Sequence, residues 1–210
     1  MNTPPERGTC WPPLPPRVAG LTALAERCDP DPQHAAQVTR LAAQLFDRMR
    51  DLHKLGPPER ELLLAAGVLH DIGYEISATS HHKNSARLIE EAELPGFSDR
   101  ERLMIAALAR YHRKAMPRAT HRIFSRLEPR ERETVRRLAA ILRVADGLDR
   151  MHEDVVSDVN IRQAGGVHVI EVAARGDATW ELWAARRKSD LFEQVYGPVE
   201  ITTAPATPVP

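Results

Sequence analysis

The sequence predicts a mainly α-helical protein that ends in a small ββαβ appendage. Three observations carry that reading. From Val18 to about His152 the apolar residues recur at helical spacing, punctuated by proline, glycine and capping residues. Near Val155 the apolar period drops from about 3.6 to about 2. Two such alternating runs then flank Ala164-Gly165-Gly166, a hairpin signal.

In chain order, residues 1–17 hold six prolines between Pro4 and Pro16 and predict a loose, extended arm. The helical body, residues 18–152, follows. Its first long helix is expected from about Pro32 to Leu55, where Val38, Leu41, Leu45, Met49 and Leu52 form a stripe that includes His34. Pro57 and Pro58 restart the chain as a helix through Leu69, His70 and Asp71 to Tyr74, apolar nearly all round and so expected to be central. After the polar break at Ser77 to Ser80, His81 to Ala92 reads as a third helix, stopped before Leu94-Pro95-Gly96. Ser98 and Glu101 form a capping box for the next, which reaches Tyr111 and His112. A long helix is expected after Pro129, from Arg130 to about His152, with Val135, Leu138, Ala139, Leu142 and Asp146 on one face. The appendage, residues 153–203, adds strands at Val155 to Ile161 and Val167 to Ala174, a helix near Thr179 to Tyr196 and a strand at Val199 to Thr202. Residues 204–210 read as a second loose tail.

Lys plus Arg and Asp plus Glu both total 29, so net charge gives no general attraction for nucleic acid or acidic membranes. Aromatic residues are scarce beside the basic stretch, which counts further against nucleic acid. No window approaches the roughly 18 apolar residues of a membrane span, and the start lacks the apolar core of a signal peptide. Cys10 and Cys28 form no CxxC pair and are too few for a disulfide framework; the cytoplasm is the expected compartment.

The chemistry is expected around His70-Asp71, a neutral nitrogen ligand beside an anionic oxygen ligand. Alone the dipeptide is weak. Its company is His34 on an apolar stripe and Asp146 on a core-facing stripe, where an unpaired carboxylate would cost several kcal/mol. Two imidazoles and two carboxylates make a mixed donor set compatible with Mn, Fe, Co, Ni, Zn or Mg. With Asp71 bridging, His81 and His112 could hold a second ion, and two divalent ions would polarise a phosphate and supply hydroxide at neutral pH. His82 is the alternative to His81, with the other histidine expected at the exposed helix end. A lone histidine on an apolar face is more often a satisfied core residue; the set as a whole reverses that preference. His53, His121, His152 and His168 fall outside the pattern and read as surface or structural. Between Arg102 and Leu127 stand seven Lys or Arg and no Asp or Glu; a solvated face is the plain reading of such a run. Arg113 and Lys114, next to His112, and Lys83, next to His82, are the candidate phosphate-binding cations.

Taken together, His34 and the segments LHDIGY, SHHKNSARLI, LPGFSDRE, ARYHRKAMP and LAAILRVADGLDR resemble the carboxy-terminal HD module of the exopolyphosphatase and guanosine-pentaphosphate phosphatase (Ppx/GppA) family, from about His34 to Thr202. The resemblance implies an HD-domain helical bundle in which His34, His70, Asp71 and Asp146 bind one or two divalent metal ions, joined by His81 and His112 where two bind. His70 and Asp71 are then the catalytic centre of a metal-dependent phosphohydrolase. Its substrate would be a nucleotide, a guanosine tetra- or pentaphosphate, or a short polyphosphate. The chain reads as a free-standing version, without the actin-like ATPase-fold half to which that family's own hydrolysis is assigned. The alternative is a non-catalytic polyphosphate- or nucleotide-binding regulatory module, since some relatives use theirs for phosphate-chain binding and dimerisation; a homodimer is an open expectation. Tyr74 stands where many HD proteins have lysine.

Overall fold

A computed structural model describes residues 10–204. The proline-rich arm falls partly outside that range, and its described part is not loose. Trp11 and Leu14 pack against the core, and Pro16–Ala19 (α1) is a helical turn whose Arg17 pairs with Glu61 and Glu101. Thr22–Cys28 (α2) follows.

Pro32–Arg48 (α3) starts where the Asp31 carboxylate accepts the His34 N–H at 3.2 Å and Pro32 takes the first turn. The single helix expected to Leu55 is two. Met49 leaves helical geometry, Arg50–His53 (α4) adds one turn, and Lys54 ends it at φ 54°. His53 is structural: Leu55 N–H donates to its Nδ1 at 2.9 Å, and its Nε2–H donates to Phe46 O at 2.8 Å.

Pro57–Leu69 (α5) is buried on every side from Leu62 onward, which makes it the central helix. It stops at Leu69 instead of running to Tyr74. Gly73 sets the reason: a Cβ there would lie 2.4 Å from Ser85 N, so the following turn is pinned against His81–Glu91 (α6), with Gly73 N–H donating to Ser85 Oγ at 3.0 Å. Asp99–Tyr111 (α7) begins with the expected capping box, Ser98 N–H to Glu101 Oε2 at 2.8 Å and Glu101 N–H to Ser98 Oγ at 3.3 Å. Arg122–Ser125 (α8) is a short turn that the sequence pattern did not predict. Pro129–Gly147 (α9) buries Val135, Leu138, Ala139, Leu142 and Asp146 as expected, but ends at Gly147 rather than near His152.

Val156–Ala164 (β1) and Val167–Ala174 (β2) pair antiparallel around Gly165 and Gly166, both at positive φ. The helix expected to Tyr196 breaks at Ser189 into Thr179–Lys188 (α10) and Asp190–Tyr196 (α11). Val199–Thr203 (β3) then lies parallel to β2, Ile201 opposite Ile170, completing the order β1-β2-β3. The appendage shares the body's core: Val156, Val159, Ile170, Leu182 and Leu191 belong to the same buried cluster as α5 and α9. Gly147 lets α10 touch α9, because a Cβ there would sit 2.6 Å from Ala185 Cα. Cys10 and Cys28 are unpaired, and among the described residues no helix is long and apolar enough to cross a membrane.

Candidate metal centre

The ligand candidates lie at helix ends. His34 is in the first turn of α3, His70 and Asp71 just past α5, His81 at the start of α6, His112 just past α7, and Asp146 next to the end of α9. They converge as two trios, His34/His70/Asp146 and Asp71/His81/His112, with the donor atoms of each trio within 4.8 Å of one another and every residue buried. One oxygen joins the trios: Asp71 Oδ1 lies 3.8 Å from His70 Nε2, 3.2 Å from His81 Nε2 and 3.6 Å from His112 Nε2. In the other trio, His34 Nε2 is 3.4 Å from Asp146 Oδ1.

The imidazoles are fixed from behind. His70 Nδ1–H donates to Gly67 O at 2.8 Å, His81 Nδ1–H to Ala78 O at 2.9 Å, and His112 Nδ1–H to Ala109 O at 2.8 Å. Each carbonyl belongs to the residue three positions earlier, so the local backbone orients its own ring. His34 uses the Asp149 carboxylate instead, at 2.8 Å. At His70, His81 and His112 the carbonyl against Nδ1 keeps the proton there and turns the Nε2 lone pair inward, the tautomer a metal at Nε2 requires. His34, between two carboxylates, must release its Nε2 proton before it can ligate.

That arrangement fits a divalent cation. His70 Nε2 and Asp71 Oδ1 are buried without a hydrogen-bond partner, a costly state for two polar atoms pointing at one place. The Nε2 atoms of His81 and His112 face each other at 3.2 Å, lone pair against lone pair. Two side-chain cations lean on the cluster from outside: Arg113 Nη1 is 3.1 Å from His81 Nε2, and the Lys188 ammonium is bonded to Asp146 Oδ2.

Charge around the cluster follows from burial and neighbours. Burial works against the charged form of His34, yet hydrogen bonds to Asp146 and Asp149 push it up to about 10. Burial likewise opposes ionised Asp71, but the flanking imidazoles of His70, His112 and His81 draw it down to about 2. Asp146 is held well below the usual carboxylate range because Lys188 and His34 outweigh its burial. Burial keeps His112 and His81 neutral, as lone-pair donors must be.

Of the paired histidines, His81 joins the cluster and His82 does not. His82 is nonetheless buried, contrary to the exposed helix end expected for the odd one out. Burial and nearby Arg110 lower it to about 3. Arg113 and Lys114 line the cavity over the cluster, Lys114 reaching Thr79 O at 2.6 Å. Lys83 is exposed and lines a separate cleft with Glu90, Arg110 and Arg122, so the structure does not bring it to the cluster. Tyr74 covers the outer side of His81, ring centroids 5.1 Å apart.

Sequence reasoning missed several residues. Asp149 orients His34, and its only signal is its place three positions after Asp146, on the same helical side. His152, outside the sequence pattern, stacks on His34 with centroids 3.8 Å apart and bonds Asp31 at 2.6 Å. Arg143 is buried one turn before Asp146 and ties Tyr111 O at 3.1 Å to Asp190 at 2.7 Å, fastening α7, α9 and α11 together. Arg150, Trp183, Arg187 and Lys188 complete a cavity of about 650 Å³.

Relatives found by sequence cover about half of this chain. A guanosine-5'-triphosphate,3'-diphosphate pyrophosphatase of Photobacterium profundum is 35% identical over 100 residues, covering 48% of this chain and 20% of that protein. Proteins of the same name from Vibrio vulnificus and Pseudoalteromonas translucida are 28% and 32% identical over 101 residues, covering 48% and 46% of this chain and 20% of each relative. The chain thus spans about a fifth of the length of these curated relatives. Residues 17–186 match the family described as Ppx/GppA phosphatase, domain III, a match that starts earlier than the resemblance over His34 to Thr202 suggested, taking in α2, and ends within α10, before α11 and β3. With most of its length matched and the helical body and terminal sheet in place, the chain belongs to the Ppx/GppA phosphatase domain III family.

Proposed function

We propose that this chain is an HD-type, metal-dependent phosphohydrolase that cleaves a phosphate ester or anhydride in a nucleotide, a guanosine tetra- or pentaphosphate, or a short polyphosphate. The observation that carries the reading is the pair of buried trios with His70 Nε2 and Asp71 Oδ1 left unpartnered between them. His34, His70 and Asp146 would hold one divalent ion, and Asp71, His81 and His112 a second, with Asp71 between. Mn, Fe, Co, Ni, Zn and Mg all suit such nitrogen and oxygen donors. When bound, such ions supply Lewis-acid polarisation of a phosphoryl oxygen and a lowered pKa for water.

The chain's own residues do the rest. Gly67 O, Ala78 O and Ala109 O keep the Nε2 lone pairs of His70, His81 and His112 aimed inward, and Asp149 holds the His34 ring in place, so metal uptake would need release of the His34 Nε2 proton but no turning of the four rings. Arg113, Lys114, Arg150, Arg187 and Lys188 line the cavity and would neutralise a polyanion next to the carboxylates. Tyr74 over His81 shields that side of the cluster from water. The pyrophosphatase activity in the relatives' names belongs to proteins about five times longer than the matched segment and supports a phosphoanhydride substrate. A cytoplasmic setting suits both such a substrate and two unpaired cysteines.

A second reading is a regulatory module that binds a nucleotide or polyphosphate without turnover. Lys188 on Asp146 and Arg113 on His81 favour it, because side-chain cations already complement the cluster. The deciding experiment is phosphate release from a nucleotide and polyphosphate panel with Mn, Co, Ni or Mg, using Asp71→Ala as control. Metal-dependent release abolished in the variant supports hydrolysis; release undiminished in Asp71→Ala rules out this site, and binding without release in every metal favours the regulatory reading.

A further inference from the structure

We infer that Trp183 is a nucleobase-stacking residue, and that the cavity therefore selects a nucleoside polyphosphate over a bare phosphate chain. The inference rests on the hydrolase reading for the phosphate end of the ligand and adds recognition of its other end.

The cavity wall changes in chemistry from the cluster outward. Beside Asp146 stands Lys188, and from the same helix, α10, come Arg187 and the indole of Trp183. A linear phosphate chain calls for the cations but gives an indole nothing to do. Trp183 is nevertheless 47% exposed and neighbouring Trp180 57%, and rings of that size are seldom left facing water without a ligand or partner. Neither ring is loose. Trp180 meets Trp183 edge-on at 5.8 Å and 82°, and the Arg187 guanidinium lies 5.1 Å from the Trp183 ring centroid. These are the spacings of three and four residues that share one helix face.

The position of Trp183 relative to the cluster is also fixed. Lys188 follows it by five residues, about 7.5 Å along the helix axis, and holds Asp146. That axial rise is of the order of a ribose with its first phosphate, and both side chains line the same cavity. Backbone contact between α10 and α9 at Gly147 prevents the two sites from drifting apart. A base on the indole would leave its phosphates among Arg187, Lys188 and the carboxylate cluster, and stacking tolerates any base because each has a π face.

The test uses the full chain and three probes, GTP, ATP and sodium tripolyphosphate. Binding is measured calorimetrically in EDTA, and turnover with added metal, for the native protein, Trp183→Ala and Trp183→Phe. We expect both nucleotides to bind at least roughly tenfold more tightly than tripolyphosphate. Trp183→Ala should weaken them about 10- to 100-fold, and Trp183→Phe should restore most of the loss. Tripolyphosphate should stay within about twofold throughout, and KM values should follow the same pattern. Equal affinity for all three probes, or an equal loss for all three in Trp183→Ala, overturns the inference. So does a Trp183→Ala protein that changes oligomeric state but keeps its nucleotide affinity, which would mark the indoles as a protein interface. Tripolyphosphate turnover without base preference overturns this inference and leaves the hydrolase reading standing. Trp183-dependent nucleotide binding without phosphate release in any metal does the reverse, and no binding or turnover of any probe overturns both.

Discussion

Replacing Gly147 by alanine tests whether the appendage is positioned by a backbone contact. The added Cβ would stand 2.6 Å from Ala185 Cα, 2.8 Å from Ala185 N and 3.1 Å from Ala184 C, all backbone atoms. Carbon atoms pack at about 3.5–4.0 Å, so α10 must withdraw by roughly 1 Å. No side chain can rotate out of the way. Forcing an extra carbon into a packed interior costs about 1–3 kcal/mol, and the helix-propensity gain of alanine is only partial at the last residue of α9. A net loss of about 1–2 kcal/mol corresponds to a Tm fall of roughly 2–8 °C for a chain of this size. Differential scanning calorimetry reads it, with Gly176→Ala as control, because nothing lies within 4 Å of a Cβ at Gly176. The control should move by less than about 0.5 kcal/mol. Because α10 carries Lys188 and Trp183 to the cavity, Gly147→Ala should also weaken ligand binding. A Tm equal to or above that of the native protein would refute the close-approach argument.

Asp149→Ala removes the acceptor that orients His34, so metal affinity should fall about 10- to 100-fold in a competition titration while the far-UV circular dichroism stays native. His82→Leu should keep the native metal content, because His82 Nδ1 has no partner and the ring belongs to neither trio, whereas His81→Leu should lose metal; elemental analysis of both variants decides. Arg143→Met leaves Tyr111 O and Asp190 without their buried partner and should cost roughly 2–4 kcal/mol by urea unfolding, where a change below about 0.5 kcal/mol would contradict the fastening role.

Local rules carried much of the fold. Ser98 and Glu101 specify a helix start with their own side chains, and Gly165-Gly166 specifies a turn through its positive φ, so neither needs the rest of the chain. Helix ends set by distant packing were not legible. The stop after Leu69 depends on Gly73 meeting α6, and the end of α9 at Gly147 coincides with α10 packing against it. At the cluster, the residues brought together were the ones whose type and stripe position clashed with burial, above all Asp146. Lys83 misled because nearness in sequence was read as nearness in space. It follows His81 by two residues, about 200° around α6, and so faces a different cleft. Lys188 and Trp183 gave no signal, because the helix that carries them reaches the cavity only through its packing on α9.

The metal content of the purified protein decides most directly whether these five helix ends form a cation site. After equilibrium dialysis against manganese, elemental analysis of the native chain and of His70→Ala should give about one to two ions per chain in the first and a large loss in the second. A native chain without stoichiometric metal, or a His70→Ala chain that keeps the full native content, would contradict the account.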